Sequence, residues 1–205
     1  MRAAAHFLSV LLHPVFMPLL TLVTAFWLDP HLSFFLPLPL KWITYAMVLV
    51  LTVLFPITSA LLLLKSGAIS GLAMPLRQER IIPLLMTLFY TGMCLYLLHR
   101  TMHHPATYAL FTGVLLALML TTAITLVWKI SAHMVGIGGA VGAFTGLVAL
   151  HDPFPFIVLA AAIILAGTLG TARLLVSDHT PGQIHAGAAL GFLCTYGCIV
   201  SDWSL

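Results

Sequence analysis

Residues 106–128, ATYALFTGVLLALMLTTAITLVW, contain no charged side chain and stop at Lys129-Ile130-Ser131-Ala132-His133, where a second apolar run begins. A helical crossing of the hydrocarbon core needs about 20 apolar residues, so this stretch has the length and chemistry of one complete membrane span. Six more runs follow the same pattern: 7–28, 40–64, 81–98, 133–150, 154–172 and 183–200. Hydrophobic residues make up 61% of the 205 and charged residues 6%, and the mean hydropathy is +1.13. An ordinary soluble domain carries about 25% charged residues. Lipid leaves the polar backbone of an open strand unsatisfied, and the runs lack the in–out alternation of a barrel. The expected fold is therefore all-α, a polytopic transmembrane bundle of six or seven helices. By length it forms one integral membrane domain over 1–205, with N-terminal helices in 1–65 and a core in 74–200.

The first run reads as a membrane helix rather than a signal peptide, because it holds His13, Pro14 and Pro18 and lacks a small-residue cleavage site. Cys94, Cys194 and Cys198 have no partners at zinc-site spacing and read as packing residues. A formal charge of +3 without a basic stretch argues against nucleic acid. The expected location is a bacterial cytoplasmic membrane, in multi-pass form. The expected partners are the surrounding lipids and a further copy of the chain.

Counting crossings from Lys65 places Arg2, Lys65, Arg77, Arg80, Lys129 and Arg173 on one membrane face and Lys41 and Arg100 on the other. His133 and His179 join the first group. Cations are costly near hydrocarbon, so a cluster of them at helix ends points to a site, and an anionic headgroup is the matching ligand. With Arg77, Arg80, Lys129 and Arg173 set aside as ligand binders, the remaining positive charges divide two against two. The positive-inside rule then has no preference between the faces.

Three stretches carry this chemistry. In 128–133, Ser131 fits an N-cap, the N–H groups after it form an anion site, Lys129 adds a charge and His133 a proton donor. The bland reading is a snorkelling lysine, a capping serine and a buried histidine. In 173–183, Thr180-Pro181-Gly182-Gln183 reads as a capping box with proline at the first helical position, which sets His179 just before a helix N-terminus. There the positive dipole end favours neutral imidazole, the nucleophilic form. In 74–80, Arg77 and Arg80 share a face if the turn is helical, and Glu79 pairs with one of them; lipid-headgroup retention is the alternative.

Taken together the stretches resemble the three signature motifs of the type 2 phosphatidic acid phosphatase (PAP2) superfamily, K-x6-R-P, P-S-G-H and S-R-x5-H-x3-D. The third is matched by Ala172-Arg173, His179 and Gln183, and the second by Ile130-Ser131-Ala132-His133. In the first, Arg80 precedes Ile81-Ile82-Pro83 and Ala73 stands where the family has lysine. The resemblance implies a PAP2-like core and a metal-independent membrane phosphatase that forms a phosphohistidine and needs no cofactor. It implies His179 as nucleophile, His133 as the acid for the leaving group, and Ser131, Arg173 and Arg80 as phosphoryl ligands. Gln183 takes the place of the Asp that orients the nucleophile. Arg77 and Lys129 are added to the phosphate-binding set from charge and position. The implied substrate is a lipid phosphate, either a phosphomonoester or a diphosphate. The alternatives are a phosphotransferase using the same intermediate, or a non-catalytic lipid-phosphate binding or transport protein.

Other polar residues read as structural. His13 is expected to bond a carbonyl freed by Pro14, and Pro56 to kink its helix. His99, Arg100, His103 and His104 read as a wet loop on the far face, and His151 with Asp152 as a short turn before Pro153. Gly138, Gly142 and Gly146, with Gly187 and Gly191, read as two small-residue faces that pack together and hold the second and third motif stretches in register.

Overall fold

A computed structural model describes residues 2–34, 36–151, 155–176 and 179–201. Asp152 and Pro153, part of the expected far-side turn, lie outside these residues, as do Ser177 and Asp178. Ten α-helices follow in chain order: α1 (Arg2–Leu11), α2 (Met17–Leu28), α3 (Pro30–Ser33), α4 (Leu38–Leu49), α5 (Phe55–Lys65), α6 (Ile81–Leu98), α7 (Pro105–Thr125), α8 (Ala132–Leu150), α9 (Phe156–Val176) and α10 (Pro181–Val200). No strand occurs among the described residues. Among the described residues seven helical stretches are long and apolar enough to cross a membrane: Arg2–Leu28, Leu38–Lys65, Gln78–Leu98, Pro105–Thr125, Ala132–Leu150, Phe156–Val176 and Pro181–Val200. The chain is an integral, multi-pass, all-α membrane protein that sits among lipids.

Two of the seven spans are interrupted, each at a proline. Pro14 disfavours the helical conformation at the residue before it, and His13 is extended (φ −65°, ψ 137°). A 3₁₀ turn over Pro14–Phe16 then leads into α2. His13 Nδ1 accepts the N–H of Val15 at 3.4 Å, so the imidazole caps a donor rather than the freed carbonyl expected from the sequence. In the second span the Pro56 ring would collide with the carbonyl of Thr52 in a regular helix. A π turn over Val50–Leu54 relieves the clash, with the Phe55 N–H reaching back to Val50 O.

The second span ends at Gly67 (φ 75°), whose N–H bonds Leu64 O while the N–H of Ala68 bonds Leu63 O. This pair of reversed bonds is the Schellman termination that glycine permits.

The centre of the bundle is α8 packed along α10, with α7 against α10. A Cβ on Gly191 would overlap the Val135 carbonyl oxygen, one on Gly138 that of Ala188, and one on Gly142 that of Phe192. Helix backbones this close need small residues on both sides, as the glycine spacing predicts. Thr195 Oγ1 donates across the seam to Gly139 O at 2.8 Å. The N–H of Ser131 donates to Gln183 O at 3.4 Å, which ties the start of α8 to the first turn of α10. Cys94, Cys194 and Cys198 are buried free thiols.

Candidate functional site

The seam fixes the ends of α8 and α10 side by side, and the remaining helices leave a cavity of about 740 Å³ beside them. That volume lies within the roughly 300–1,000 Å³ of small-ligand sites. Arg80, Lys129, His133, Arg173 and His179 all line it, with His6, Ser9 and His13 from the first span. The cavity continues inward past Pro56, Leu84, Thr91, Leu110 and Thr195. Thr195 follows Pro181 by 14 residues, about 21 Å of helix rise, so the cavity descends from the cationic face past the middle of the membrane.

His179 is buried, and its Nδ1 lies 2.9 Å from Gln183 Oε1. The same oxygen accepts the N–H of Thr180 at 3.1 Å, while Thr180 Oγ1 accepts the N–H of Gln183 at 3.4 Å. The capping box forms as the sequence predicts, and its glutamine also holds the imidazole. With Nδ1–H donating to the amide, Nε2 carries the lone pair. Burial pushes the His179 pKa down, the Gln183 bond opposes this, and Arg80, Arg173 and Lys129 push it down further. Arg80, Lys129 and Arg173 come from three separate segments and line the same cavity as this imidazole.

Two expected ligands do not line the cavity. Arg77 Nη1 donates to the Leu126 carbonyl at 2.5 Å, satisfying the open C-terminal end of α7. Ser131 has the extended backbone of an N-cap, but its Oγ makes no capping bond; the residue is fully buried and its Oγ has no hydrogen-bond partner among the described residues. Arg80 Nε donates to the Met74 carbonyl at 2.9 Å. Glu79 Oε1 accepts the backbone N–H of Ser70 at 2.9 Å, a contact with the loop that its arginine neighbours did not suggest.

His133 is turned toward the first span. Its Nε2 lies 3.1 Å from Ser9 O, and its ring meets that of His13 edge-on at 5.1 Å between centroids. Sequence reasoning set His13 aside; the pointer to it was the His-Pro pair, which breaks a membrane helix and so delivers a polar ring to mid-span.

On the far face His99 and Arg100 are exposed, as expected of a wet loop, while His103, His104 and His151 are partly packed. His151 Nδ1 donates to Asp29 Oδ2 at 2.5 Å, and the other carboxylate oxygen accepts the N–H of His31 at 2.9 Å. His103 Nε2 meets Thr44 Oγ1 at 3.3 Å, and His99 stacks on Tyr108 at 4.4 Å. Among the described residues no group of three or more His, Cys, Asp or Glu side chains is placed to hold a metal ion.

No family model, no curated protein and no solved structure matches the chain. The resemblance to the type 2 phosphatidic acid phosphatase superfamily is therefore corrected, and so is the PAP2-like core expected over 74–200. What stands is the helical membrane bundle alone. The expected phosphatase, its phosphohistidine and the phosphotransferase sharing that intermediate are also overturned. Among the described residues no carboxylate backs His179, and His133, assigned as the acid, makes its contacts with Ser9 and His13. The spacing Arg-x5-His reflects a helix end followed by a capped helix start, a local arrangement that needs no enzyme to explain it.

Proposed function

We propose that this protein binds an acidic amphiphile inside its bundle, a lipid phosphate being the chemistry that fits best, with the headgroup beside Arg80, Lys129, Arg173 and His179. The supporting observation is a cavity whose lining is cationic at one membrane face and mainly apolar, with scattered threonines, below it. Arginine suits the headgroup position because its fork donates two parallel bonds to a phosphoryl group, while lysine supplies a point charge. His179, held through Nδ1 by Gln183, offers Nε2 to the ligand and becomes a further cation when it takes a proton. Gln183 is a positioning residue in this reading. Arg77 and Ser131 serve the scaffold.

The test is a binding titration of the detergent-purified protein with phosphatidic acid and with phosphatidylcholine of identical tails, followed by native mass spectrometry. Phosphatidic acid is expected to bind more tightly, and Arg173→Gln to weaken it by about tenfold or more, the loss of one charge-assisted hydrogen bond. Arg100→Gln on the far face is expected to change nothing. Equal affinity for the two lipids, or an Arg173→Gln protein that folds and binds like the wild type, overturns the proposal.

A further inference from the structure

The cavity has a side as well as an end. Val10 on α1 and Ile57 and Leu61 on α5 line it, yet 67%, 37% and 47% of their surfaces are exposed. A residue that faces the cavity and the outside at once marks the rim of an opening. The packing partners agree: α1 packs on α9 and α5 on α6, and neither packs along the other.

The depth of this rim decides what lies outside it. Val10 follows Arg2 by eight residues and Ile57 precedes Lys65 by eight, about 12 Å of rise from the cationic face. Leu61 lies about 6 Å from that face by the same measure. Half of the hydrocarbon core is about 15 Å thick, so the rim is level with the acyl chains of one leaflet. Val10, Ile57 and Leu61 are apolar, exposed His6 lies one helical turn from Val10 on the side of the cationic face, and small Ala60 lies between Ile57 and Leu61 in the cavity lining.

We infer that the gap between α1 and α5 is a lateral portal through which the hydrocarbon tail of a lipid in the adjoining leaflet reaches the cavity. The inference rests on the binding reading above and names the route and the part of the ligand that uses it. A headgroup held by Arg80, Lys129 and Arg173 at the membrane interface would keep its tail at the level of this rim. The interrupted first span contributes: the break at His13-Pro14 ends α1 at Leu11 and turns the chain over Gly136 of α8, where a Cβ would come within 3.2 Å of Pro14 Cα. Residues below the break therefore pack on α8, while α1 above it leans on α9.

The experiment uses phosphatidylcholine and phosphatidic acid carrying a photoactivatable diazirine in the acyl chain, reconstituted with the full chain in nanodiscs, with adducts mapped by mass spectrometry. Labels are expected on interior cavity residues such as Leu110 and Val114, and Ala60→Trp is expected to reduce interior labelling by about tenfold by blocking entry. Leu193→Trp, on the lipid-facing side of α10, should leave it unchanged. Ile57→Trp repeats the test if Ala60→Trp does not fold. Interior labelling that survives both folded portal variants overturns the portal, as does labelling confined to outward residues. Interior labelling by the two lipids equally supports the portal and overturns the headgroup selectivity. Binding of glycerol phosphate without interior labelling keeps the cationic site and overturns the portal.

Discussion

On the face bearing Arg80, Lys129, Arg173 and His179, the polar side chains line a cavity of about 740 Å³; on the opposite face His31, His103, His104 and His151 line none of it. Both faces are rich in imidazole. On the far face the rings close on one another and on an acid: His31 and His151 lie 4.7 Å apart between ring centroids, His104 meets His151 at 5.2 Å, and Asp29 is 1% exposed beneath them. There the polar groups staple loops together, joining the end of the first span to the end of α8. On the cationic face the convergence is of like charge around His179, which raises the cost of the empty site and favours an anion within it. A cluster of polar residues at a membrane face thus becomes a candidate site through cavity and charge sign rather than through residue type.

The contrast can be broken at the seam that supports both faces. Gly142→Leu is expected to give the largest effect, because its side chain would occupy the space of the Phe192 carbonyl. Overpacking costs about 1–3 kcal/mol and more where backbone is the obstacle. A thermal melt should fall steeply and lipid binding should be lost with it; an unchanged melt would show that α8 and α10 are not held by this contact.

Charge removal separates the faces. Replacing Arg80 and Arg173 together by Gln is expected to weaken phosphatidic acid binding by about 100-fold, two charge-assisted bonds at about 1.5 kcal/mol each. The melt of the ligand-free protein should hold or rise, since like charges are relieved. Asp29→Asn should do the reverse. The amide keeps one acceptor oxygen for the His31 N–H and sets an NH2 donor where Oδ2 accepted from His151, lowering stability by about 1–3 kcal/mol with affinity unaltered. If Asp29→Asn weakened lipid binding and the arginine pair did not, the assignment of the two faces would be inverted.

The smallest effect is that of pH. Burial first, and then Arg80, Arg173 and Lys129, hold the His179 pKa below its ordinary value, with Gln183 opposing. The sign follows: as pH falls through about 6.5 the unfolded chain takes up the proton before the folded one does. The ligand-free protein therefore loses stability on acidification. A bound anion offsets the new imidazolium, so binding and protonation favour each other. Titrations between pH 7 and pH 5, comparing wild type with His179→Gln, should show relative affinity for the acidic lipid rising in the wild type by up to about tenfold, the equivalent of one pKa unit. The comparison between proteins cancels titration of the lipid itself. Parallel pH profiles would remove His179 from the ligand contacts.

Much of the fold was legible along the chain. Apolar run length, the Thr180-Pro181-Gly182-Gln183 cap and the four-residue glycine spacing are local patterns, and the structure reproduces each. The crossing count also gathered Arg80, Lys129 and Arg173 on one face, since each crossing reverses the chain. Charge, position and motif spacing fell short where they were read as side-chain placement. Arg77 and Ser131 stand in the right stretches, yet a carbonyl of α7 and the packing under α10 determine where their side chains go. The His13-Pro14 pair marked a break, but that Ser9 and the threonines Thr91 and Thr195 would line the cavity had no signature in sequence, because it depends on which way a broken span leans. Hydrophobicity over twenty residues is a property of the chain itself and tells lipid from water. The position and direction of a side chain within a site depend on neighbours more than a hundred residues away, as with Ser9 and His133, and only packing brings these together.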